Sequence, residues 1–368
     1  MFLIARKFVC RKTDNPHRQT INAMFQKAFG RNPSGEKLKR MGQSPQYKNN
    51  AFHNTSHTPM LAEDSSMLKT LRSYFSKPPD IRPPASIPSV KTNLNTLTDE
   101  APVLVWFGHS SYLLRINGIN ILVDPVFSGH ASPFSFMVKA YKGADVYGVD
   151  DMPVIDLLLQ THDHYDHLDY ATVAALKPKV KKVICSLGTG SHFEYWGYSP
   201  ADITELDWYA STSPVPGIEL TATPARHFSG RGITRGKTLW ASFIVKTDTR
   251  RIFIGGDSGY DKHFKAIGDA YGPFDLVILE CGQYNAHWKY IHMMPEETAQ
   301  AAVDLNAKML LPVHWAKFTL SLHPWDDPIK RVIKKAVELQ IPVTTPMIGE
   351  PVIIGNNYPI SRWWELVK

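Results

Sequence analysis

Four side chains that favour metal binding lie within six residues near the middle of the chain: His162, His164, Asp166 and His167. Imidazole nitrogen and carboxylate oxygen are ligands for zinc, and also for manganese or iron. Residues two apart in an extended segment point the same way, so His162 and His164 can bind one ion together. A turn after Tyr165 would direct the other two side chains to a second ion. Histidines that cap a loop or sit hydrogen-bonded in a core are the alternative, but this density at a strand end favours a metal site.

The motif follows residues 156–160, which the apolar pattern predicts to be a short buried strand. Three further candidate ligands, His227, Asp257 and His314, also follow apolar runs directly. Seven ligands suit two ions, which in such sites lie about 3.5–4 Å apart and hold a hydroxide between them. We expect His162, His164 and His227 on one ion, Asp166, His167 and His314 on the other, and Asp257 as the bridge.

Order is predicted to begin at residue 102, where three apolar segments within 103–124 form an antiparallel meander with an Asn117-Gly118 turn. Beyond it, strands and helices alternate, which is typical of an α/β fold. Helices are predicted at 170–176, 192–197, 295–306 and 328–340. Further strands are predicted at 181–186, 203–208, 218–223, 239–246, 251–254, 276–280, 309–313 and within 343–354.

Residues 1–100 are rich in polar residues and proline, and they predict a basic, partly irregular arm on a main domain of residues 101–368. Only 20–29 and 65–75 have a helical pattern in this arm. The first 50 residues carry a net charge of +9 (11 basic, 2 acidic), and the remainder carries −2 (30 basic, 32 acidic). Because the candidate site lies outside the basic part, nucleic acid is not an expected partner. The arm is either a solvated segment or a contact for anionic lipid.

A chain of 368 residues with 43% hydrophobic residues can bury a large core. Apolar runs fall well short of the roughly 20 residues that span a bilayer, and the first residues lack a secretory pattern. Three cysteines at no regular spacing favour a reducing compartment. We therefore expect a water-soluble cytoplasmic protein, with membrane association and homo-oligomer formation left open. Apolar side chains in the loop 126–149 belong either to a local core or to a lipid-facing rim.

The order HDHYDH, then His, Asp and His, resembles the metallo-β-lactamase superfamily over residues 102 to about 320. The resemblance implies a four-layer αββα sandwich with metals at one edge between the sheets. Shorter motifs are similar to N-acylphosphatidylethanolamine-hydrolysing phospholipase D and its bacterial relatives, including ascorbate-phosphate lactonases: WFGHSS, DPVFS, HYDHLDY, TELDW, LWASF, GGDSGY, HMMPEE and VHWAKF. The first 100 residues and those after 320 match that group poorly.

This resemblance implies a dinuclear metal-dependent hydrolase in which a metal-bridging hydroxide attacks the phosphorus of an N-acylphosphatidylethanolamine-like lipid. Zinc is the expected metal, with Mn²⁺ and Fe²⁺ as alternatives. A lactonase acting on a phosphorylated sugar acid is the second interpretation. A third is a non-catalytic protein that binds membrane or RNA, which the complete ligand set argues against. β-Lactam hydrolysis is not expected from the shorter motifs.

The expected catalytic residues are Asp166, Asp257 and His292. In phospholipase-like members the histidine equivalent to His292 reaches the active site, where imidazole can stabilise an oxyanion or protonate a leaving alkoxide. Capping of the helix that follows is the alternative for this residue. His109 is expected to have a role beside the ligands, or a structural one, rather than to bind metal. Other candidates are two arginines that either receive a phosphate or are solvated, and a cysteine expected to pack in the core: Arg226, Arg231 and Cys281.

Overall fold

The computed structural model describes residues 27–62 and 78–368. The helix predicted at 65–75 and most of the one predicted at 20–29 lie outside these residues. Two stacked β-sheets, of seven and six strands, form the centre of the described molecule. A two-stranded hairpin, β1 (Tyr47–Lys48) and β2 (Ala51–Phe52), precedes them.

The seven-stranded sheet contains the predicted meander, and its strands run in the order β15-β3-β4-β5-β6-β7-β8. β3, β4 and β5 pair antiparallel, and Asn117 and Gly118 both have positive φ, as the tightest hairpin turn requires. β5 to β8 are parallel, and β15 pairs antiparallel with β3. The strands are β3 (Val103–Trp106), β4 (Tyr112–Ile116), β5 (Ile119–Val123), β6 (Ile155–Gln160), β7 (Val180–Ser186), β8 (Ile203–Leu206) and β15 (Pro351–Ile353).

The six-stranded sheet has the order β14-β13-β12-β11-β10-β9. β9 to β12 are antiparallel and β12 to β14 are parallel. The sequence pattern misses β9 because this edge strand contains Pro214 and has no buried residues that would give an alternating apolar pattern. The strands are β9 (Ser211–Val215), β10 (Ile218–Thr223), β11 (Ser242–Lys246), β12 (Arg251–Ile254), β13 (Leu276–Glu280) and β14 (Leu310–Val313).

Alternation along the strands places a layer on each face of the seven-stranded sheet. Leu104 and Trp106 belong to the core shared with the six-stranded sheet, whereas Val103 and Val105 pack with residues of outer helices. Helix α5 (Pro295–Asp304) contacts β13 and β14 on the far side of the other sheet. The layers therefore run helix, sheet, sheet, helix, and the predicted αββα fold is confirmed. The helices are α1 (Glu36–Met41), α2 (Tyr170–Leu176), α3 (Gly190–Tyr195), α4 (His263–Tyr271), α5 (Pro295–Asp304) and α6 (Asp327–Glu338).

The described part of the first 100 residues packs closely on the sandwich. Met41, Phe52, Ile87 and Leu94 are buried in the clusters that contain the sheets. Residues 27–60 also reach the loops that follow β6 and β10, as detailed below. The division of the chain near residue 100 stays a prediction, but the part before it is packed against the rest.

The structure bears on two expectations about membrane contact: the absence of a membrane-spanning helix and the placement of apolar side chains in the loop 126–149. Within the described ranges, no helix combines the length and the apolar character that a bilayer span needs. In the loop 126–149, Tyr141 is buried in the core, whereas Phe136 is 71% exposed. The local-core interpretation therefore holds for Tyr141, and the lipid-facing interpretation stays a prediction for Phe136.

Candidate metal centre

All seven predicted ligands come together at one edge between the two sheets. The histidine motif follows β6 directly, whereas His227 follows β10, Asp257 follows β12 and His314 follows β14. The chain thus places one run of ligands from the seven-stranded sheet opposite three single ligands from the six-stranded sheet. These side chains are buried or nearly so. The seven side chains therefore lie in loops at the strand ends where the sequence places them.

One group contains the first predicted set of ligands. Ligand atoms of His162, His164, His227 and Asp257 lie within 4.8 Å of one another. Nδ1 of His164 is 3.0 Å from Nε2 of His162 and 3.1 Å from Nε2 of His227. Two nitrogens bound tetrahedrally at the zinc distance of 2.0–2.1 Å would lie about 3.3 Å apart. This spacing fits three imidazoles around one divalent ion.

A second group combines Asp166, His167 and His314 with His109, again within 4.8 Å. Oδ2 of Asp166 is 3.3 Å from Nε2 of His314 and 3.6 Å from Nε2 of His167. Nε2 of His109 lies 3.0 Å from the same oxygen, so His109 contacts a predicted ligand. The backbones of His109 and His314 both have positive φ, and the amide of His314 donates to the carbonyl of His109 at 2.9 Å. Sparsely populated backbone conformations of this kind cluster at functional sites.

Asp257 lies between the two groups. Its Oδ1 is 2.7 Å from Nδ1 of His314, and its Oδ2 is 3.2 Å from Nε2 of His167. The same Oδ2 is 3.7 Å from Nε2 of both His162 and His227. One carboxylate therefore contacts histidines of each group, which is the position that the predicted bridging ligand needs.

Several buried polar atoms of the candidate ligands make no well-directed hydrogen bond among the described residues. They are His164 Nε2, His167 Nε2, His314 Nδ1 and Asp257 Oδ1, although the last two lie 2.7 Å apart. Each buried polar atom left without a partner costs about 1–3 kcal/mol, so four at one place call for a ligand that compensates them. Imidazole nitrogens and carboxylate oxygens in this number fit divalent metal ions.

The electrostatics of the site keep several ligand nitrogens unprotonated. Burial, followed by the neighbouring histidines, holds the pKa of His162 well below its usual value. Burial also lowers the pKa of His227 strongly. His167 differs, because burial lowers its pKa but the nearby Asp257 and Asp166 outweigh that effect and raise it. Despite burial, His167 and His314 hold the pKa of Asp257 well below its usual range.

Asp124 orients His167, a role that the sequence did not reveal. Nδ1 of His167 donates to Oδ2 of Asp124 at 2.8 Å, which leaves Nε2 facing the metal site. Thr161 holds the carboxylate from the other side, through its amide at 2.9 Å and its hydroxyl at 2.5 Å. A carboxylate that fixes a histidine ligand in this way commonly sets its tautomer. Its only signal in the sequence is an aspartate at a strand end, followed by proline.

Asp163, inside the histidine motif, holds the loop and binds no predicted ligand. Its Oδ1 accepts from the amide of Gly230 at 2.7 Å. Its Oδ2 accepts from the Thr238 hydroxyl at 3.0 Å and from Nε2 of His192 at 3.3 Å. This carboxylate therefore ties the loop after β6 to the loop after β10.

The two arginines differ in burial: Arg231 is neither solvated nor free to receive a phosphate, whereas Arg226 is partly buried. Arg231 is buried, and its guanidinium donates to the carbonyls of Asp163 at 2.7 Å, Leu168 at 2.6 Å and Ala28 at 2.7 Å. Arg226 donates to the carbonyl of His57 at 2.7 Å. Both expectations were wrong for Arg231, because carbonyls from separate parts of the chain satisfy its buried guanidinium; for Arg226 they stay predictions. Cys281 packs in the core as expected.

His292 lies at the edge of the metal site. Its ring centroid is 5.0 Å from that of His227 and 5.3 Å from that of His314. Nδ1 donates to Oε2 of the buried Glu280 at 2.6 Å. The helix-cap alternative is wrong, because the Glu297 carboxylate accepts from the amide of Met294 at the start of α5. Glu280 was missed because it reads as the last residue of an apolar strand.

Comparison with known proteins agrees with this geometry. The profile of the β-lactamase superfamily domain matches residues 119–315, which is more than half of the chain. The chain belongs to this superfamily. It is accordingly a metal-dependent hydrolase, as predicted.

Three individual proteins show how similar this chain is to known members of the fold. An uncharacterized protein of Mycobacterium tuberculosis is 37% identical over 329 residues, covering 88% of each chain. N-acyl-phosphatidylethanolamine-hydrolyzing phospholipase D 1 of Caenorhabditis elegans is 32% identical over 230 residues, 58% of this chain and 64% of the relative. The structure of Igni18, a metallo hydrolase of Ignicoccus hospitalis, is similar with a TM-score of 0.54 and 20% identity, over 68% of this chain and 97% of that one. The last similarity shows the fold alone.

Proposed function

We propose that this chain is a dinuclear phosphodiesterase of phospholipase D type that acts on N-acylphosphatidylethanolamine-like lipids. The contact of Asp257 with histidines of both groups supports two ions in one site. The similarity to the C. elegans phospholipase supports the phosphodiester as the reacting group. Zinc fits the ligand set, in which five of seven ligands are imidazoles.

Divalent ions in such a site activate water near neutral pH and compensate the charge that grows on the phosphoryl oxygens. His162, His164 and His227 would hold one of them, and Asp166, His167 and His314 the other. Asp257 would keep the two at a fixed separation. The chain's own residues then have to orient the phosphodiester and supply a proton to the departing group.

His292 is suited to the proton transfer. Because Nδ1 is engaged by Glu280, Nε2 is the nitrogen left to donate to the oxygen of the leaving alkoxide. Burial lowers the pKa of His292, but Coulombic attraction to Glu280 and the hydrogen bond donated to that carboxylate outweigh burial and raise the pKa to about 9. Asp166 is held by His109, whose Nε2 lies 3.0 Å from Oδ2 of the carboxylate. Together these contacts provide a proton donor and a fixed ligand set around one reacting group.

The test is hydrolysis of vesicles that contain N-acylphosphatidylethanolamine by zinc-loaded protein, with products identified by mass spectrometry. Phosphatidate and N-acylethanolamine are expected in equal amounts. The variant Asp257→Asn is the control for contaminating activity. Hydrolysis of a phosphorylated sugar lactone, with no turnover of the lipid, would replace this proposal by the lactonase. Absence of both activities in protein that retains metal would refute the phosphodiesterase assignment.

A further inference from the structure

A cavity of about 420 Å³ opens beside the predicted ligand His227. It lies between residues 51–60 and the loop 227–236. Its volume is within the range of small-molecule binding sites. None of the described residues that line it is acidic, Arg235 is basic, and six lining side chains are apolar: Ala51, Phe52, Met60, Phe228, Trp240 and Ile291.

The cavity adjoins the metal centre through Phe228. The ring of Phe228 lies 4.4 Å from that of His164 and 4.9 Å from that of His227, between centroids. A substrate whose phosphate occupies the metal site could therefore extend a substituent past this ring into the cavity.

Residues 51–60 are firmly attached to the loop that carries His227. The side-chain amide of Asn54 donates to the carbonyl of His227 at 2.7 Å, and its Oδ1 accepts from the amide of the same residue at 3.1 Å. The amide of Phe52 donates to the carbonyl of Gly236 at 2.8 Å. These contacts make the segment a fixed wall of the cavity.

Three polar side chains of this wall are already satisfied within the protein. Asn54 is engaged by His227, and Nε2 of His53 lies 3.0 Å from the carbonyl of Lys48. The Thr58 hydroxyl donates to the carbonyl of Ser56 and accepts from Nε of Arg226 at 3.0 Å. The guanidinium of Arg235 lies 5.0 Å from the Phe228 ring and contacts the Met60 sulfur. The apolar side chains of the lining remain available to contact a ligand, and they favour an apolar group.

We propose that this cavity is the subsite for an apolar substituent of the phosphodiester, and that residues 51–60 set the size of the substituent accepted. The inference rests on the proposed function for the identity of the reacting group. It assigns substrate selection to a segment outside residues 119–315, the part that the superfamily profile matches.

The test uses Thr55→Trp in the full chain, because Thr55 is exposed and lines the cavity. Binding of octylphosphonate and methylphosphonate to zinc-loaded protein is measured by calorimetry. The matched control is Thr249→Trp, an exposed residue beyond the end of β11, away from the ligand-bearing strand ends. We expect Thr55→Trp to weaken octylphosphonate binding by about tenfold or more while methylphosphonate binding stays within twofold. Both affinities should match the wild type in the control.

If Thr55→Trp weakens the binding of both phosphonates equally, or weakens the binding of neither, the assignment of this cavity is overturned. The octyl and methyl p-nitrophenyl phosphodiesters test the chemistry separately. If wild-type protein hydrolyses neither ester but prefers octylphosphonate in a manner that Thr55→Trp abolishes, the phosphodiesterase proposal fails and the apolar subsite stands. If wild-type protein hydrolyses both esters and Thr55→Trp slows their hydrolysis equally, the phosphodiesterase proposal stands and the apolar subsite fails.

Discussion

Glu280 fixes the orientation of His292 at the edge of the metal site. Their 2.6 Å hydrogen bond joins a fully buried carboxylate to an imidazole that is largely but not completely covered. The other oxygen of Glu280 accepts from the amide of Ser258 at 2.8 Å, so the carboxylate itself cannot turn. His292 therefore has one nitrogen engaged and one left for the substrate.

If His292 donates a proton to the leaving group, the effect of removing His292 should depend on which leaving group the ester carries. His292→Ala is expected to lower kcat for an alkyl phosphodiester by roughly 100-fold or more, the usual contribution of a general acid. A p-nitrophenyl ester should suffer much less, because nitrophenolate leaves without a proton. Glu280→Gln should show the same pattern to a smaller degree. An equal loss on both esters, at unchanged metal content, would remove His292 from the proton transfer.

Asp257→Asn should lower metal binding more than it lowers stability. The amide keeps the shape of the side chain but removes the charge that contacts histidines of both groups. We expect loss of at least one ion per chain, measured by elemental analysis, together with a fall in activity of roughly 10³-fold or more. Circular dichroism should be unchanged. Full metal content in this variant would show that Asp257 is not a bridging ligand.

Asp124→Asn tests the positioning of His167. Loss of such a carboxylate partner typically weakens metal affinity by roughly 10–100-fold. Competition with a chromophoric chelator measures this directly and without reference to activity. Asp202→Asn, at an exposed position before β8, is the matched control and should bind as the wild type does. An affinity unchanged in Asp124→Asn would show that His167 needs no partner to bind metal.

Arg231→Met should destabilise the fold. The change leaves the carbonyls of Asp163, Leu168 and Ala28 without their donor. Since the carbonyls can relax or admit water, we expect a loss of about 2–4 kcal/mol in the free energy of unfolding, measured in urea. Arg235→Met in the same loop is exposed and should cost less than about 0.5 kcal/mol. Similar losses in the two variants would contradict the role assigned to Arg231.

The convergence of the seven candidate ligands could be predicted from the sequence because each lies in a loop that follows an apolar strand, which is a local signal. The hydrogen-bond partners of these ligands could not be predicted from the sequence, since Asp124 lies 43 residues before His167 and Asn54 lies 173 residues before His227. Nothing in the local pattern links such residues until the sheets form. Helix α4 was also missed; it has nine residues and contains Gly268. A Cβ atom at this position would lie 1.9 Å from the carbonyl oxygen of Asp304, so a larger residue would clash there. Packing against α5, rather than helix propensity, explains a glycine at that position.

The central claim is that seven side chains hold two metal ions. Anomalous diffraction at the zinc edge, from crystals grown with zinc, measures the number and position of these ions directly. Two peaks about 3.5–4 Å apart are expected, one among His162, His164 and His227 and the other among Asp166, His167 and His314, with Asp257 in contact with both. A single peak, peaks elsewhere in the fold, or an Asp257 carboxylate that contacts neither ion would contradict it.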